Sequence, residues 1–230
     1  MIIVIIPTAG KGERFNSKKP KQFLEIKGKP LFIYTLQRFE KHPQIDGIVL
    51  SVSSEYIKET EKLISSYNLK KVLKITEGGK TRQESVFKGI KVSPPETEIF
   101  LIHDAVRPFV SLALISEVIE NTKIFGACVP AIPVRDTLNR VSLREIKENV
   151  DRSNLFCIQT PQGIKAEILR QLLEKAQKEN LIFSDESTLL LHYGYRVRIV
   201  EGSFINYKIT YPEDLFLAEK LIDCKIEDLL

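Results

Sequence analysis

Positive charge is concentrated in one short segment near the amino terminus. After Pro7-Thr-Ala-Gly10 the chain carries a run of cations: Lys11, Arg14, Lys18, Lys19 and Lys21. Glycines allow backbone N–H groups to approach phosphate oxygens, and clustered cations repel one another unless an anion lies among them. These residue types therefore predict a polyanion site in the loop. The alternative from the local sequence is that the cations are simply solvated.

Two common phosphate-binding loops do not match this segment. The pattern G-x-x-x-x-G-K-[ST] is absent from the chain. The dinucleotide pattern G-x-G-x-x-G needs a small third residue, and Phe15 stands at that position. A G-x-S-x-G nucleophile motif is absent as well. The sequence thus speaks against both common phosphate-loop types, including a redox dinucleotide site.

Composition narrows the class of protein further. The 230 residues are 43% hydrophobic and 28% charged, with a formal net charge of +4. That charge is too small to argue for nucleic acid, and no apolar run approaches the ~18 residues of a membrane span. The cysteines, at 128, 157 and 224, form no C-x-x-C pair, which is typical of reduced thiols. We expect a cytoplasmic protein that binds neither nucleic acid nor membrane.

Short apolar runs alternate with helical patterns along the whole chain. Strands are predicted at Ile2–Pro7, Gly47–Ser53, Lys71–Thr76, Ile99–His103, Gly126–Ile132, Phe156–Gln159 and Arg196–Glu201. Helices are predicted at Leu31–Lys41, Glu55–Ser66, Thr81–Val92, Ala113–Asn121, Lys165–Glu179, Asp185–His192 and Pro212–Ile222. This alternation predicts an α/β fold, a mostly parallel sheet flanked by helices, in a single domain over 1–230.

One segment, 133–152, departs from the alternation. Its two polar-alternating stretches, Pro133–Val141 and Glu148–Arg152, are joined by a charged turn over Ser142–Lys147. This pattern predicts an antiparallel hairpin that projects from the main sheet, and a second subunit could cover it. The alternative is a hairpin folded back on its own domain.

Several motifs, in order, carry a resemblance to one known family. They are Pro7-Thr-Ala-Gly-Lys-Gly-Glu-Arg-Phe15, Pro20-Lys-Gln-Phe23, Gly78-Gly-Lys-Thr-Arg-Gln-Glu-Ser-Val86, His103-Asp-Ala-Val-Arg-Pro108, Pro133-Val-Arg-Asp-Thr137, Val150-Asp-Arg152, Thr160-Pro-Gln162, Asp185-Glu-Ser-Thr188 and the stretch from Asn206 to Leu215. Together they resemble the 2-C-methyl-D-erythritol 4-phosphate cytidylyltransferase family of nucleotidyltransferases. The resemblance implies a Rossmann-like sheet of the nucleotide-diphospho-sugar transferase type with a projecting β-hairpin arm.

The resemblance also implies a reaction. CTP and 2-C-methyl-D-erythritol 4-phosphate would give 4-diphosphocytidyl-2-C-methyl-D-erythritol and diphosphate, with Mg²⁺ as the metal and a homodimer formed through the 133–152 arm. The attacking group would be a phosphate monoester, whose second pKa is about 6, so no protein base is needed. The protein's task would be charge neutralisation and alignment.

Residue roles follow from the resemblance alone. It implies four catalytic cations: Arg14, Lys21, Arg152 and Lys208. It implies a CTP site formed by Thr8, Ala9, Gly10, Lys11, Gly12, Gly79, Lys80 and Ser85. It implies substrate contacts from Asp104, Arg107, Asp136, Thr137 and Thr160. Asp104 would also meet Mg²⁺, and Thr137 would act across the dimer.

Local sequence offers simpler interpretations for some of these positions. Thr81 and Glu84 match a helix capping box, and Asp185 could simply begin a helix. Asp104 could be a turn residue, and Arg107 could be its salt-bridge partner. For the whole protein, the alternatives are a ribitol 5-phosphate cytidylyltransferase and a catalytically silent nucleotide-binding module.

Overall fold

The computed structural model of the chain describes residues 1–10, 15 and 19–224. Its strands are β1 Ile2–Thr8, β2 Glu25–Ile26, β3 Lys29–Pro30, β4 Gly47–Val52, β5 Val72–Glu77, β6 Ile99–Ile102, β7 Ala127–Pro133, β8 Leu138–Ser142, β9 Glu145–Val150, β10 Phe156–Ile158, β11 Gln162–Lys165 and β12 Arg198–Glu201. Its α-helices are α1 Leu31–Lys41, α2 Ile57–Ser66, α3 Arg82–Lys91, α4 Leu112–Phe125, α5 Ala166–Lys178, α6 Glu186–His192 and α7 Pro212–Asp223. The predicted strands and helices are confirmed, most of them to within two residues at each end.

The main sheet is mostly parallel, as predicted. β6, β1, β4 and β5 are parallel neighbours, and β7 pairs in parallel with β12. β10 and β11 run antiparallel to β7, and β11 also pairs antiparallel with β6. Ala131 pairs with both Ile158 and Glu201, so β10 and β12 lie on opposite sides of β7.

Strand β11 was not predicted from the sequence. It joins the two parallel halves of the sheet, because Gly163 pairs with Leu101 of β6 on one side and with Cys128 of β7 on the other. A Cβ atom on Gly163 would lie 2.2 Å from Thr122 Oγ1, so glycine is needed where α4 packs on this strand. The segment Gln-Gly-Ile-Lys is too short and too mixed to signal a central strand.

The two faces of the sheet are covered by different helices, as a doubly wound fold requires. Along β1, Val4 and Ile6 belong to a core with α1 and α4, whereas Ile3 and Ile5 belong to a core with α3 and α5. Successive side chains of a strand point to opposite faces, so the apolar run of β1 supplies both cores.

The hairpin of the 133–152 segment is confirmed as β8 and β9, with a shorter turn than predicted. Only Leu143 and Arg144 connect the strands, and their φ angles are +52° and +65°. Such turns usually carry Asn-Gly, and neither residue is present here, so no local pattern signals the two-residue turn. Every residue of β9 except Val150 is exposed, so the hairpin is not folded back on the domain. Within the described ranges, none of the helices has the length and apolar character needed to cross a membrane.

Candidate active site

A large cavity lies at the edge of the sheet where the parallel strands end. Its volume is about 1110 Å³. Its lining includes the residues that follow four strands: Ala9 and Gly10 after β1, Ser53 and Ser54 after β4, the 78–82 turn after β5, and Asp104 after β6. Ligands of open α/β folds bind at this edge, because the loops leaving the strands converge there.

Positive charge exceeds negative charge among the described residues of the cavity wall. The cations are Lys21, Lys80, Arg82, Lys88 and Lys208; the anions are Glu77, Glu84 and Asp104. A cavity with this balance suits an anionic ligand. Of the predicted site residues, the ones that line it are Ala9, Gly10, Lys21, Gly79, Lys80, Ser85, Asp104 and Lys208.

Asp104 is the electrostatic centre of this cavity. Its Oδ2 lies 3.1 Å from Lys208 Nζ and 3.2 Å from Arg107 Nε, and its Oδ1 lies 3.4 Å from Arg82 Nε. Burial would raise the pKa of Asp104, but Lys208, Arg82 and Arg107 together hold it well below its usual range. The carboxylate is therefore ionised, and the interpretation of Arg107 as its salt-bridge partner is confirmed.

A buried hydrogen-bond chain fixes the backbone at Asp104. Asp104 N donates to Thr160 Oγ1 at 3.1 Å, and the Thr160 hydroxyl lies 3.0 Å from His103 Nδ1. His103 Nε2 lies 3.1 Å from the carbonyl of Arg107, which can only accept, so Nε2 carries the proton and Nδ1 accepts from Thr160. Burial lowers the pKa of His103 to about 3, which keeps the ring neutral. Thr160 thus supports Asp104 from behind the cavity wall.

Arg82 bridges Asp104 to a second buried carboxylate. Its Nη1 donates to Glu186 Oε1 at 2.8 Å and Oε2 at 2.9 Å. Burial opposes the charge on Arg82, but Glu186 and Asp104 outweigh it and raise the pKa of the guanidinium. The neighbouring Asp185 begins α6 as its N-cap and accepts from Thr188 N at 2.9 Å, so the interpretation of Asp185 as a helix start is confirmed.

The loop after β1 is held by Gln22. Its Nε2 donates to the carbonyls of Thr8 at 2.6 Å and Gly10 at 3.0 Å. The Thr8 hydroxyl is buried and faces the carbonyls of Ser51 and Ile6, so Thr8 contributes backbone rather than a side chain to this region.

The 78–85 turn is shaped by close packing and by Ser85. A Cβ atom on Gly78 would lie 2.3 Å from Ala9 Cβ, so glycine lets this turn approach the first loop. Ser85 Oγ accepts from Gly79 N at 3.0 Å and donates to the Thr81 carbonyl at 2.9 Å. Thr81 caps α3 as predicted, but the carboxylate of Glu84 accepts from Lys80 N rather than from the N-cap residue.

A carboxyl-terminal segment completes the cavity. Buried Asn206 donates to the Thr160 carbonyl at 2.9 Å, and Ile209 N donates to the Val106 carbonyl at 3.0 Å. Lys21 Nζ donates to the carbonyl of Ile209 at 2.8 Å, and Ile209 directly follows Lys208 in the chain. Two predicted catalytic cations from opposite ends of the sequence therefore line one cavity.

Other predicted residues lie elsewhere. Arg152, Asp136 and Thr137 are exposed near the base of the hairpin and are not part of the cavity wall in this chain. Arg152 Nη1 donates to the carbonyl of Arg135. The predicted residues Lys11, Gly12 and Arg14 lie outside the described residues.

Sequence reasoning did not single out three residues that organise the site. All three lie inside the motifs noted above: Gln22, Asn206 and Glu186. The motifs could have drawn attention to these residues but could not predict their hydrogen-bond partners, because each residue bonds to a segment distant in the sequence.

Comparisons with known proteins identify relatives that match nearly the whole chain. The 2-C-methyl-D-erythritol 4-phosphate cytidylyltransferase family model matches residues 2–223. A cytidylyltransferase of that name from Clostridium botulinum (strain Langeland) is 42% identical over 221 residues, which are 96% of each chain. Part of a bifunctional IspD/IspF enzyme from Desulfotalea psychrophila is 42% identical over 98% of this chain and 58% of that protein.

Solved structures show the same likeness. The crystal structure of the 2-C-methyl-D-erythritol 4-phosphate cytidylyltransferase from Thermus thermophilus has a TM-score of 0.82 and 34% identity, covering 96% of this chain and 98% of that one. The crystal structure of the 4-diphosphocytidyl-2C-methyl-D-erythritol synthase from Anaerococcus prevotii has a TM-score of 0.84 and 26% identity, covering 97% of this chain and 98% of that one. The fold is that of a nucleotidyltransferase. More narrowly, the chain belongs to the 2-C-methyl-D-erythritol 4-phosphate cytidylyltransferase family.

Proposed function

We propose that this enzyme joins CTP to 2-C-methyl-D-erythritol 4-phosphate and releases diphosphate. The observation that carries the proposal is the cationic cavity built around Asp104 at the strand ends, in a chain of this family. The charge balance of the wall suits a triphosphate, and the turn over 78–85 offers backbone groups next to it. The relatives named above are methylerythritol phosphate enzymes, which does not favour ribitol 5-phosphate as the substrate.

The chemistry asked of the protein is electrostatic. The phosphate of the second substrate is an ionised nucleophile, so the barrier is the approach of one anion to another. Lys21 and Lys208 would neutralise the phosphates of CTP and of the second substrate, and their positions are held by Ile209 O and Asp104. Arg14 would act with them, and Lys11 and Gly12 would cradle the triphosphate, as the family resemblance implies. Ala9, Gly10, Gly79, Lys80 and Ser85 would contact the nucleotide, with Thr8 shaping the backbone beneath it.

Mg²⁺ fits the residues that are present. Among the described residues there is no group of three or more side chains of the types that bind metals. Mg²⁺ commonly takes one or two carboxylates and completes its shell with waters and substrate phosphates. Ionised Asp104, on the cavity wall, would hold it together with the triphosphate. When bound, the ion would supply charge neutralisation at the phosphates.

The hairpin supports a homodimer with shared sites. Arg152, Asp136 and Thr137 stand outside the cavity of their own chain, and the hairpin tip exposes three apolar side chains: Val141, Leu143 (92% exposed) and Ile146. Apolar side chains grouped in this way usually mark an interaction surface. A second copy that covers the tip would also bring Thr137 to its neighbour's site.

The three cysteines form no disulfide bond, which is consistent with a cytoplasmic location of the enzyme.

The reaction is tested by measuring diphosphate release with CTP and Mg²⁺, comparing methylerythritol phosphate with ribitol phosphate. We expect turnover of the former only; no turnover of it would refute the proposal. Lys21→Met should lower kcat about a hundredfold or more, as loss of a charge-stabilising group does. Lys178→Met, on the exposed face of α5, is the matched control and should retain activity.

The shared site is tested by mixing inactive partners. Thr137→Ala and Lys21→Met subunits should regain activity when combined, because one site in a mixed dimer would keep both residues. Activity no higher than that of the separate variants would contradict a role for Thr137 across the dimer.

A further inference from the structure

Glu186 is a buried carboxylate that the proposed reaction does not use. It is the first residue of α6 and is only 2% exposed. Both of its oxygens accept from Arg82 Nη1, at 2.8 and 2.9 Å, whereas Arg82 Nε lies 3.4 Å from Asp104 Oδ1. Arg82 therefore stands between two carboxylates, and Glu186 holds it more closely.

The two oxygens of Asp104 differ in how closely they are paired with cations. Oδ2 is contacted by both Arg107 and Lys208 at 3.1–3.2 Å. The ion-pair contact of Oδ1 within the described part of the chain is the 3.4 Å approach of Arg82, at the long end of hydrogen-bond distances. A carboxylate oxygen held so loosely can take a new ligand at small cost.

Arg82 itself is not in its best position for hydrogen bonding. Its Nη2 is buried and has no hydrogen-bond partner among the described residues. A buried donor left unpaired is costly, so an unrestrained guanidinium would turn to satisfy it. The planar fork of arginine can grip a carboxylate through two N–H groups, and Asp104 is within its reach.

We propose that Glu186 is a positioning residue that holds Arg82 back from Asp104, so that Asp104 Oδ1 stays available to the divalent cation accompanying a nucleoside triphosphate. The inference deepens the proposed function and rests on it for the identity of the ligand. Glu186 is not among the residues that line the cavity. Its effect is exerted through Arg82.

The test measures CTP binding by calorimetry at increasing Mg²⁺, without the second substrate. Glu186→Gln keeps the shape of the side chain but removes the charge that restrains Arg82. We expect the Mg²⁺ concentration for half-maximal CTP binding to rise about tenfold or more, as it does when outer-shell partners of metal sites are changed. Glu167→Gln is the matched control. Glu167 is exposed and lies just after β11, at the edge of the sheet where β6 begins, whereas Asp104 follows the opposite end of β6.

A double variant separates positioning from structural support. In Arg82→Leu/Glu186→Gln the arginine that would close on Asp104 is gone, so the Mg²⁺ requirement should fall below that of Glu186→Gln, even though CTP binds more weakly overall because Arg82 is one of the cations of the cavity wall. A double variant with a requirement as high as that of Glu186→Gln alone would overturn the proposal, as would a folded Glu186→Gln with an unchanged requirement. If Glu186→Gln does not fold, Glu186→Asp carries the test, because its shorter side chain keeps the charge but cannot hold Arg82 Nη1 at 2.8 Å. An unchanged Mg²⁺ requirement in folded Glu186→Asp would overturn the proposal.

The outcomes also distinguish this inference from the proposed function. Mg²⁺-dependent CTP binding without turnover of methylerythritol phosphate would refute the reaction and leave the role of Glu186 standing. CTP binding that does not depend on Mg²⁺ would overturn the role of Glu186, whatever the reaction.

Discussion

Lys208 Nζ lies 3.1 Å from Asp104 Oδ2, and this ion pair ties the carboxyl-terminal segment to the end of β6. Asp104 is buried and also pairs with Arg107 and Arg82, so one carboxylate forms ion pairs with three cations. The carboxylate offsets part of the repulsion among these cations, and the cavity keeps a net positive charge ready for a ligand.

Asp104→Asn should destabilise the fold as well as impair binding. Removing one member of a buried charge cluster leaves its partners uncompensated, at a cost of about 3 kcal/mol or more in the free energy of unfolding. Urea denaturation of the free enzyme would measure it. Asp223→Asn breaks an exposed ion pair with Lys27 and should cost far less, because water screens the two charges. Equal losses in the two variants would contradict the central role of Asp104.

His103 should make stability depend on pH below neutrality. Its pKa is about 3 in the folded protein, because it is buried, and about 6.5 in the unfolded chain. The unfolded chain therefore binds an extra proton as the pH falls below ~6.5, and stability is lost by roughly 1.4 kcal/mol per pH unit down to about pH 3. Above pH ~6.5 the residue has no such effect.

The pH dependence is checked with His103→Asn and urea denaturation between about pH 4 and pH 7, inside the window set by those two pKa values. The variant should show a shallower slope than the unmodified enzyme. His42, whose pKa burial also lowers, contributes to the slope that remains. An unchanged slope in His103→Asn would show that the ring is not buried neutral.

Gly78→Ala should push apart the two loops that flank the cavity. The added Cβ would lie 2.3 Å from Ala9 Cβ, far inside van der Waals contact. We expect KM for CTP to rise about tenfold, because misplacement of a binding loop by an ångström weakens a positioned ligand. Ala9→Gly should rescue the variant, since it removes the atom that collides. A double variant no better than Gly78→Ala would contradict this account.

Gln22→Glu should loosen the loop after β1. The change is nearly isosteric but replaces the donor that serves the carbonyls of Thr8 and Gly10 with an acceptor. Unpaired buried acceptors cost about 1–3 kcal/mol, which should appear as lower stability and a higher KM for CTP. Gln177→Glu, on the exposed side of α5, is the matched control. A KM that does not change would show that the loop is held in another way.

The sequence predicted the fold best where a local residue pattern by itself determines an element. Apolar runs with helices between them predicted the parallel strands, because each run buries both of its faces. Strand β11 was not predicted, because its sequence, Gln162–Lys165, has no strand pattern of its own. The segment forms a strand by pairing with β6 on one side and β7 on the other. The roles of Gln22 and Glu186 depend on side chains brought together by folding, which no local pattern specifies.

The contact between Arg82 and Glu186 also has a consequence for the order in which the site is assembled. The two residues are 104 positions apart in the chain. At a synthesis rate of about 5–20 residues per second, Arg82 is synthesised roughly 5–20 seconds before Glu186. During that interval the newly made half carries Arg82 and Asp104 without Glu186 or Lys208. A nascent chain stalled before residue 186 should thus bind Mg²⁺ and CTP less well than the released enzyme.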